Sequence, residues 1–265
     1  MRRHGIAQGR VDPHGAMVMI QTFIYNPANL GEDEIIVSGS EARHIVKEIR
    51  PAKGDMVRLI DGRGTAHVCE VVANRAGKVV CRIIKTVKYG GESRLMLTLA
   101  IGLSSAAKID TIIEKGTEVG VNRFVPLLTE KGTVKPGDKS SVVRGMNRWR
   151  RLCEAAAKQA GRSVIPVIAD PLRFDDFIIS CEPEETILLH AAGRVDDLCG
   201  RFASPQIQKA IVIIGPESGF SPGEIDLAQR KGICLFSLGE RVLCTETAAM
   251  VVAAIVIYLV EGVKA

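Results

Sequence analysis

Hydrophobic and polar positions change rhythm once along this chain, near residue 90. Before that point the apolar runs are short. Thr22–Tyr25, Met56–Asp61, Ala66–Val72 and Val79–Val87 are rich in β-branched residues, with Gly62-Arg-Gly64 and Asn74-Arg-Ala-Gly77 between the later ones. Such runs bounded by turn residues predict strands, and strands spaced this closely predict a small β-barrel. Ser40–Arg50 departs from the pattern, with Ala42, Ile45, Val46 and Ile49 on one helical face, and Pro51-Ala-Lys-Gly-Asp55 then turns the chain. Residues 1–19 have no periodicity and contain Gly5, Gly9, Pro13 and Gly15, so they are expected to be a flexible extension. The barrel is expected over residues 20–90.

After Tyr89-Gly-Gly-Glu-Ser-Arg94 strands alternate with helices. Leu95–Leu103 is a buried strand, Lys108–Gly120 a helix with Ile109, Ile112, Ile113 and Val119 inward, and Arg123–Leu128 a strand. Lys131–Ser141 is a polar loop. Arg144–Gly161 is a two-faced helix. Arg144, Arg148, Arg151, Lys158 and Arg162 recur on one side, and Trp149, Leu152, Ala156 and Ala160 on the other. Further strands are predicted at Val164–Ile168, Thr186–His190, Ile211–Ile214 and Cys234–Leu238, and a last helix at Glu246–Glu261. At least six strands alternating with helices make an α/β domain with a mostly parallel sheet over residues 91–265. The last helix is apolar nearly all round, so one face is expected to meet another subunit. Its uncharged stretch, Thr247–Val260, is 14 residues, against about 20 needed to span a bilayer, so no membrane segment is expected.

Charge sharpens this division. The net charge is +5, and residues 1–90 carry 14 Lys and Arg against 9 Asp and Glu, while residues 91–265 carry 21 of each. A surplus confined to the first third points to a part that faces nucleic acid. Aromatic content is only 4%, which argues against a broad aromatic stacking sheet. The seven cysteines are odd in number and include no C-x-x-C, so neither zinc nor any other metal is expected. Free thiols, and no apolar run after Arg2 and Arg3, suit a cytoplasmic protein.

The candidate chemistry lies near the C-terminus. The run Ile211–Ile214 stops at Gly215-Pro216-Glu-Ser-Gly219, and Ser221-Pro222-Gly223-Glu224 then carries the signature of a helix-opening capping box. Cys234–Leu238 repeats the arrangement, followed by Gly239-Glu-Arg241 and by Thr245-Glu246. Loops at the carboxyl ends of strands are where open α/β sheets bind ligands. Two such loops can wall one pocket. Neither matches the dinucleotide or P-loop fingerprint, and ordinary chain reversal is the plain alternative. His190, at another strand end, could serve catalysis, although a lone histidine is more often structural. Glu118 reads as a cap or salt-bridge residue.

The pairing of Gly215-Pro-Glu-x-Gly-Phe-Ser221 with Leu238-Gly-x-x-x-Leu-x-Thr-Glu-Thr-Ala248 resembles the SPOUT methyltransferases. It is most similar to the ribosomal RNA small subunit methyltransferase E family, which methylates N3 of a uridine in 16S rRNA. The segments Lys108–Val121 and Arg148–Arg162 resemble the same family, and the likeness covers residues 20–265. It implies a PUA-like barrel helping to hold the rRNA, then a SPOUT-type domain with a trefoil knot. It also implies S-adenosyl-L-methionine as cofactor, the small ribosomal subunit as partner, and a homodimer. Cofactor-binding positions would be Leu189, His190, Gly215, Pro216, Glu217, Gly219, Leu238, Gly239, Val242 and Leu243. Glu246 and Glu217 would remove or orient the N3 proton, with Arg241 facing the developing anion. Arg43, His44, Lys47, Arg50, Arg148 and Arg162 would contact RNA. Three positions depart from the family's usual residues: Gln21-Thr22, where an Arg is expected before Phe23; Ser218, in place of Gly; and Cys244, in place of Arg. A catalytically silent RNA-binding dimer that kept the fold is the rival these departures raise. A nicotinamide enzyme lacks its fingerprint.

Overall fold

The computed structural model describes residues 10–11, 17–18, 20–134, 139–194, 198–202 and 206–262, with side chains left out at 10–11, 17–18, 139–144, 194 and 199–200. The chain forms two compact units. One comprises Met1–Glu92 with Ala157–Ile165, the other Ser93–Ala156 with Pro166–Ala265. The sequence pattern shows one crossing near residue 90. The return of Ala157–Ile165 to the first unit has no periodic signal.

In the first unit, β1 (Arg10–Val11) and β2 (Met17–Val18) pair antiparallel. The rest of the expected N-terminal extension, apart from Ile20 onward, lies outside the described residues. Then follow β3 (Thr22–Ile24), β4 (Glu34–Val37), α1 (Gly39–Ile49), β5 (Met56–Ile60), β6 (Thr65–Arg75) and β7 (Lys78–Lys88). The sheet order is β3-β5-β6-β7-β4. Its end strands β3 and β4 do not pair with each other, so the ladders define an open five-stranded sheet. All five strands nevertheless feed one core, which includes Phe23, Ile35, Val57, Leu59, Cys69 and Val79 and is closed by Ala42 and Ile45 of α1. The β6–β7 turn is tighter than expected. Asn74 and Arg75 stay in the ladder opposite Val79 and Lys78, and the reversal falls on Ala76 and Gly77, at φ 50° and 73°. Two positive φ values match the twist of a two-residue hairpin.

A buried ion pair holds the returning segment. Arg162 and Glu92 are 2% and 4% exposed and meet at 2.7 Å. The Glu92 carboxylate also accepts the Ser163 and Val164 N–H groups at 2.8 and 2.9 Å. The Arg58 guanidinium donates to the Gly161 carbonyl and, at 3.3 Å, to the Gly90 carbonyl. Residues 90–92 and 161–164 are thereby fastened by charge-assisted hydrogen bonds. Lys158 adds a pair with Glu41 at 3.3 Å.

The second unit runs β8 (Met96–Gly102), α2 (Ala106–Val119), β9 (Arg123–Leu128), α3 (Lys139–Gln159, its last residues in the first unit), β10 (Val167–Ile168), β11 (Leu172–Arg173), α4 (Phe174–Ser180), β12 (Thr186–Arg194), α5 (Leu198–Phe202), β13 (Lys209–Ile214), α6 (Pro222–Arg230), β14 (Cys234–Phe236) and α7 (Thr245–Gly262). The sheet order is β10-β9-β8-β13-β12-β14, with β11 also on β9, and every pair is parallel. The parallel sheet expected from the alternation is therefore present. Ala100, Val125, Leu188 and Ile213 share a core with Phe174, Phe177 and Phe220, and α7 packs on α2, α5, β8 and β13.

The 18 residues of α7 have the length and hydropathy of a membrane-crossing helix. Here Ala248, Ala249, Val252, Ala253, Val256 and Val260 are buried inside the domain, as in a core helix. It is not buried all round: Thr247, Val251, Ala254 and Tyr258 stay exposed at three- and four-residue spacing.

Breaking a buried ion pair by removing one partner costs about 3–5 kcal/mol, because the other charge stays buried. Arg162→Met is therefore expected to lower unfolding stability by that amount in urea. Lys158→Met, at a more exposed pair, is expected to lose about 1 kcal/mol or less. Equal losses in the two variants would contradict the assignment of Glu92–Arg162 as the fastening.

Candidate active site

Because the sheet is parallel, the carboxyl ends of β8, β13, β12 and β14 lie on one edge, in that order. The loops after β13, β12 and β14 carry the predicted cofactor-binding residues, and β8 leads into α2. Gly102 ends β8 at a crossing that tolerates no side chain, since a Cβ there would lie 2.5 Å from Pro216 Cδ. Pro216 is buried and held against β8, and Gly215 packs under the Phe220 ring.

The loop after β13 is anchored beyond its own residues. The capping box read from the sequence is present: Glu224 N–H donates to Ser221 Oγ at 3.2 Å, and Ser221 N–H donates to Glu224 Oε2 at 2.7 Å. The other Glu224 oxygen accepts the Glu130 N–H at 2.9 Å, so one buried carboxylate ties the start of α6 to the loop after β9. Ser218, a departure from the family pattern, donates to the Lys131 carbonyl at 2.7 Å and adds a second tie to that loop. At the end of β12 the register with β14 shifts, so that both Leu189 and Arg194 lie opposite Phe236. His190–Gly193 bulge between them. Gly193 lets the bulge rest on β14, for a Cβ there would fall 2.4 Å from the Phe236 carbonyl carbon. His190 Nδ1 accepts the Ala192 N–H at 3.2 Å. That leaves the ring proton of the neutral form on Nε2.

The loop after β14 is held at its start only. Ser237 Oγ exchanges hydrogen bonds with the Gly239 N–H and carbonyl, both at 3.2 Å. Beyond it, among the described residues, the main-chain groups of Glu240, Arg241 and Val242 have no hydrogen-bond partner. Val242 is 96% exposed. Gly219 and Gly239 have φ of 69° and 105°, and no atom lies within 4 Å of where a Cβ would stand at either. Their main chains face open space, a combination that suits a ligand held by peptide groups.

Two predicted catalytic residues are brought together by one the sequence reading left out. Lys108, in the first turn of α2, places Nζ 3.1 Å from Glu217 Oε1 and 3.9 Å from Glu246 Oε2. Its hydrogen bond with Glu217, reinforced by the Glu217 and Glu246 charges, holds the ammonium above its ordinary pKa. Glu246 Oε2 is buried, and among the described residues it has no hydrogen-bond partner. Lys108 was visible only as the first residue of a family-like segment, because its two partners lie more than 100 residues away. Arg241 is exposed and has no ion pair among the described residues.

The predicted RNA contacts separate into three kinds. Arg43, His44, Lys47 and Arg50 are exposed on and after α1, with the His44 ring edge-on to Phe23 at 5.7 Å. Arg148 is exposed but ion-paired with Asp110 at 2.5 Å. Arg162 is buried against Glu92, so it holds the chain together and presents no cation to a phosphate. Glu118, read as a salt-bridge residue, pairs with Lys115 at 2.7 Å.

Residues 91–257 match the model of the RNA methyltransferase domain family. Over 250 residues the chain is 30% identical to the ribosomal RNA small subunit methyltransferase E of Synechocystis, covering 93% of this chain and 80% of that one. This chain belongs to the ribosomal RNA small subunit methyltransferase E family. The Bacillus subtilis methyltransferase E is 26% identical over 232 residues, covering 85% of this chain and 90% of its own length. Among solved structures, a Legionella pneumophila protein with bound S-adenosylmethionine superposes with a TM-score of 0.77 at 28% identity, over 90% of this chain and 97% of that one. The Neisseria gonorrhoeae methyltransferase E shares the fold, with a TM-score of 0.76 at 23% identity, over 89% of this chain and 96% of its own.

Proposed function

We propose that this methyltransferase E family member transfers a methyl group from S-adenosyl-L-methionine to N3 of a uridine in 16S rRNA of the small ribosomal subunit, in the cytoplasm. The observation that carries the reading is the open edge at Gly219 and Gly239. There, positive-φ glycines border empty space, and Gly239 is followed by the peptide groups of Glu240–Val242, which have no hydrogen-bond partner among the described residues. The residues fit a flat, polar cofactor. Leu189 and His190 form one wall, Gly215, Pro216, Glu217 and Gly219 the second, and Leu238, Gly239, Val242 and Leu243 the third. A ligand covering the last loop also accounts for a fully exposed valine.

The cofactor supplies an activated methyl group, so the protein's work is placement and proton removal. Uridine N3 must lose its proton. Glu246 Oε2 is buried and accepts no hydrogen bond among the described residues, whereas the Glu217 carboxylate is half-exposed and held by Lys108 at 3.1 Å. Glu246 is therefore proposed as the base and Glu217 as the residue that orients Lys108. The Lys108 ammonium and the Arg241 guanidinium supply positive charge for the uracil oxygens as N3 is deprotonated. The N-terminal sheet and the exposed cations of α1 are proposed to hold the RNA backbone in the manner of a PUA-like module. The silent-binder alternative gains nothing from Ser218, whose hydroxyl has a loop-anchoring role.

Two further features of the family are proposed on geometry. The first is the knot. β14 lies beyond β12 at the end of the sheet, yet α7 returns to pack on β8 and β13. The segment between them, residues 237–244, leads from the edge strand back to the middle of the sheet. A crystal structure traced continuously through residues 186–250 decides whether the chain is threaded there. The second is the dimer. The exposed apolar stripe Val251–Ala254–Tyr258 on α7 is proposed as the face a second copy covers.

Labelled methyl donor incubated with unmodified small ribosomal subunits, then digested to nucleosides, is expected to yield N3-methyluridine. Glu246→Gln is expected to reduce kcat at least about 100-fold, in the range of a lost general base, while cofactor binding persists. Label on another base, or no transfer by a cofactor-bound protein, would overturn the reading. For the dimer, sedimentation analysis is expected to show a two-chain species that Tyr258→Glu converts to monomer. A wild-type monomer at micromolar concentration would remove that part of the proposal.

A further inference from the structure

Tyr89 is the exposed aromatic that neither the core nor the active edge uses. It is 65% exposed, and its hydroxyl has no hydrogen-bond partner among the described residues. Its backbone stands at φ 50°, a conformation that asparagine or glycine adopts far more readily than tyrosine. Non-glycine residues keep such a conformation where the surroundings enforce it, and these positions cluster at ligand sites.

The surroundings do enforce it. Tyr89 N–H donates to the Gly64 carbonyl at 2.6 Å, and Gly64 N–H donates to the Ser163 carbonyl at 3.0 Å. Gly64, at φ 112°, is the seat of the ring, for a Cβ there would fall 2.6 Å from Tyr89 Cε1. The ring is thus propped on rigid main chain with the rest of its surface in solvent. A tyrosine that served only to fill space would be buried.

The charges around the ring favour an anionic partner. Lys88 and Arg63 flank Tyr89 and Gly64 in sequence and are exposed. Lys88 donates to Thr65 Oγ1 at 2.7 Å, and the Arg63 side chain has no ion pair among the described residues. Of the nearby acids, Glu92 is neutralised by a pair, and Asp61 keeps its charge, which acts on Lys88 and leaves Arg63 as the unpaired cation. Asp61 accepts the Arg63 and Thr65 N–H groups at 2.8 and 2.9 Å, and Glu92 is taken by Arg162. One exposed ring with an unpaired arginine in the adjoining loop is the combination by which proteins hold an unpaired base and its phosphate.

We propose that Tyr89 stacks on an unpaired base of the RNA substrate, with Arg63 on the adjoining phosphate, forming a single-base anchor separate from the methyl-transfer edge. The proposal rests on the RNA methyltransferase reading. It also refines the compositional argument against stacking: a broad aromatic platform is absent from this chain's composition, whereas one seated tyrosine suffices for one base.

The test uses the full-length protein and a short fluorescein-labelled oligouridylate, read by anisotropy over a salt series. Tyr89→Phe is expected to bind as wild type does. Tyr89→Leu, similar in bulk without a π-face, is expected to bind about tenfold more weakly, as is Tyr89→Gly. In urea, Tyr89→Gly is expected to be at least as stable as wild type, since glycine tolerates the positive φ. Affinity and stability then move apart, which a purely structural tyrosine would not allow. Arg63→Ala is expected to lower the slope of log K against log salt by about one, and Tyr89→Leu to leave it unchanged. Wild-type affinity in Tyr89→Leu, or a loss of affinity that tracks a loss of stability, overturns this inference alone. No RNA affinity in the wild type overturns the reading beneath it as well. Cofactor titration of the same variants, expected to match wild type, shows the methyl-transfer edge intact.

Discussion

A parallel sheet places all its strand ends of one kind on one edge, and the second unit is built around that constraint. The order β8-β13-β12-β14 makes neighbours of segments as far apart in sequence as Met96 and Lys209, with β13 and β12 at the middle. Hydrogen-bonded strands lie about 4.8 Å apart, so the loops leaving four adjacent strands form one continuous rim. Gly102 and Gly193 permit the close crossings on that rim, where any side chain would strike Pro216 or Phe236. Glu224 and Ser218 tie its second wall to the loop after β9. The third wall, beyond Gly239, has no main-chain hydrogen-bond partners among the described residues, and it is there that the proposed cofactor's polar groups would find theirs.

Charge is placed on this rim with economy. Lys108 stands between Glu217 and Glu246, close enough to the first for a hydrogen bond and to the second for attraction without one. The result is an ammonium held firmly in its charged form beside a buried carboxylate oxygen that has no hydrogen-bond partner among the described residues. In the first unit the opposite holds. Arg162 and Glu92 are spent on each other and Arg58 on main-chain carbonyls, while Arg43, Lys47 and Arg50 on and after α1 and Arg63 beside Gly64 are exposed with no ion pair among the described residues.

How much was legible in the sequence depended on range. The capping box of α6 was readable because its two residues stand three apart, and the parallel sheet because alternation of strand and helix leaves few other arrangements. The glycine loops were readable as strand-end loops, and their family likeness named the activity. The Lys108 cluster was hidden because its members are about 109 and 138 residues apart. Arg162 misled for a related reason. It continues the helical spacing of an exposed basic stripe, but the chain turns at Gly161 and carries it inward to Glu92. The tight hairpin at Ala76-Gly77 was masked by Asn74, a turn former by composition that the ladder keeps as a strand residue. The exposed stripe on α7 was undetectable because its residues are as apolar as those facing the core.

The central claim is that the rim formed by the β12, β13 and β14 loops holds S-adenosyl-L-methionine. Calorimetric titration of the purified protein with the cofactor, beside Gly239→Arg with its fold verified by circular dichroism, tests it most directly. The account predicts saturable one-to-one binding by the wild type, abolished in the folded variant whose new side chain fills the open space at Gly239. Absence of binding by the wild type, or equal binding by both proteins, would contradict it.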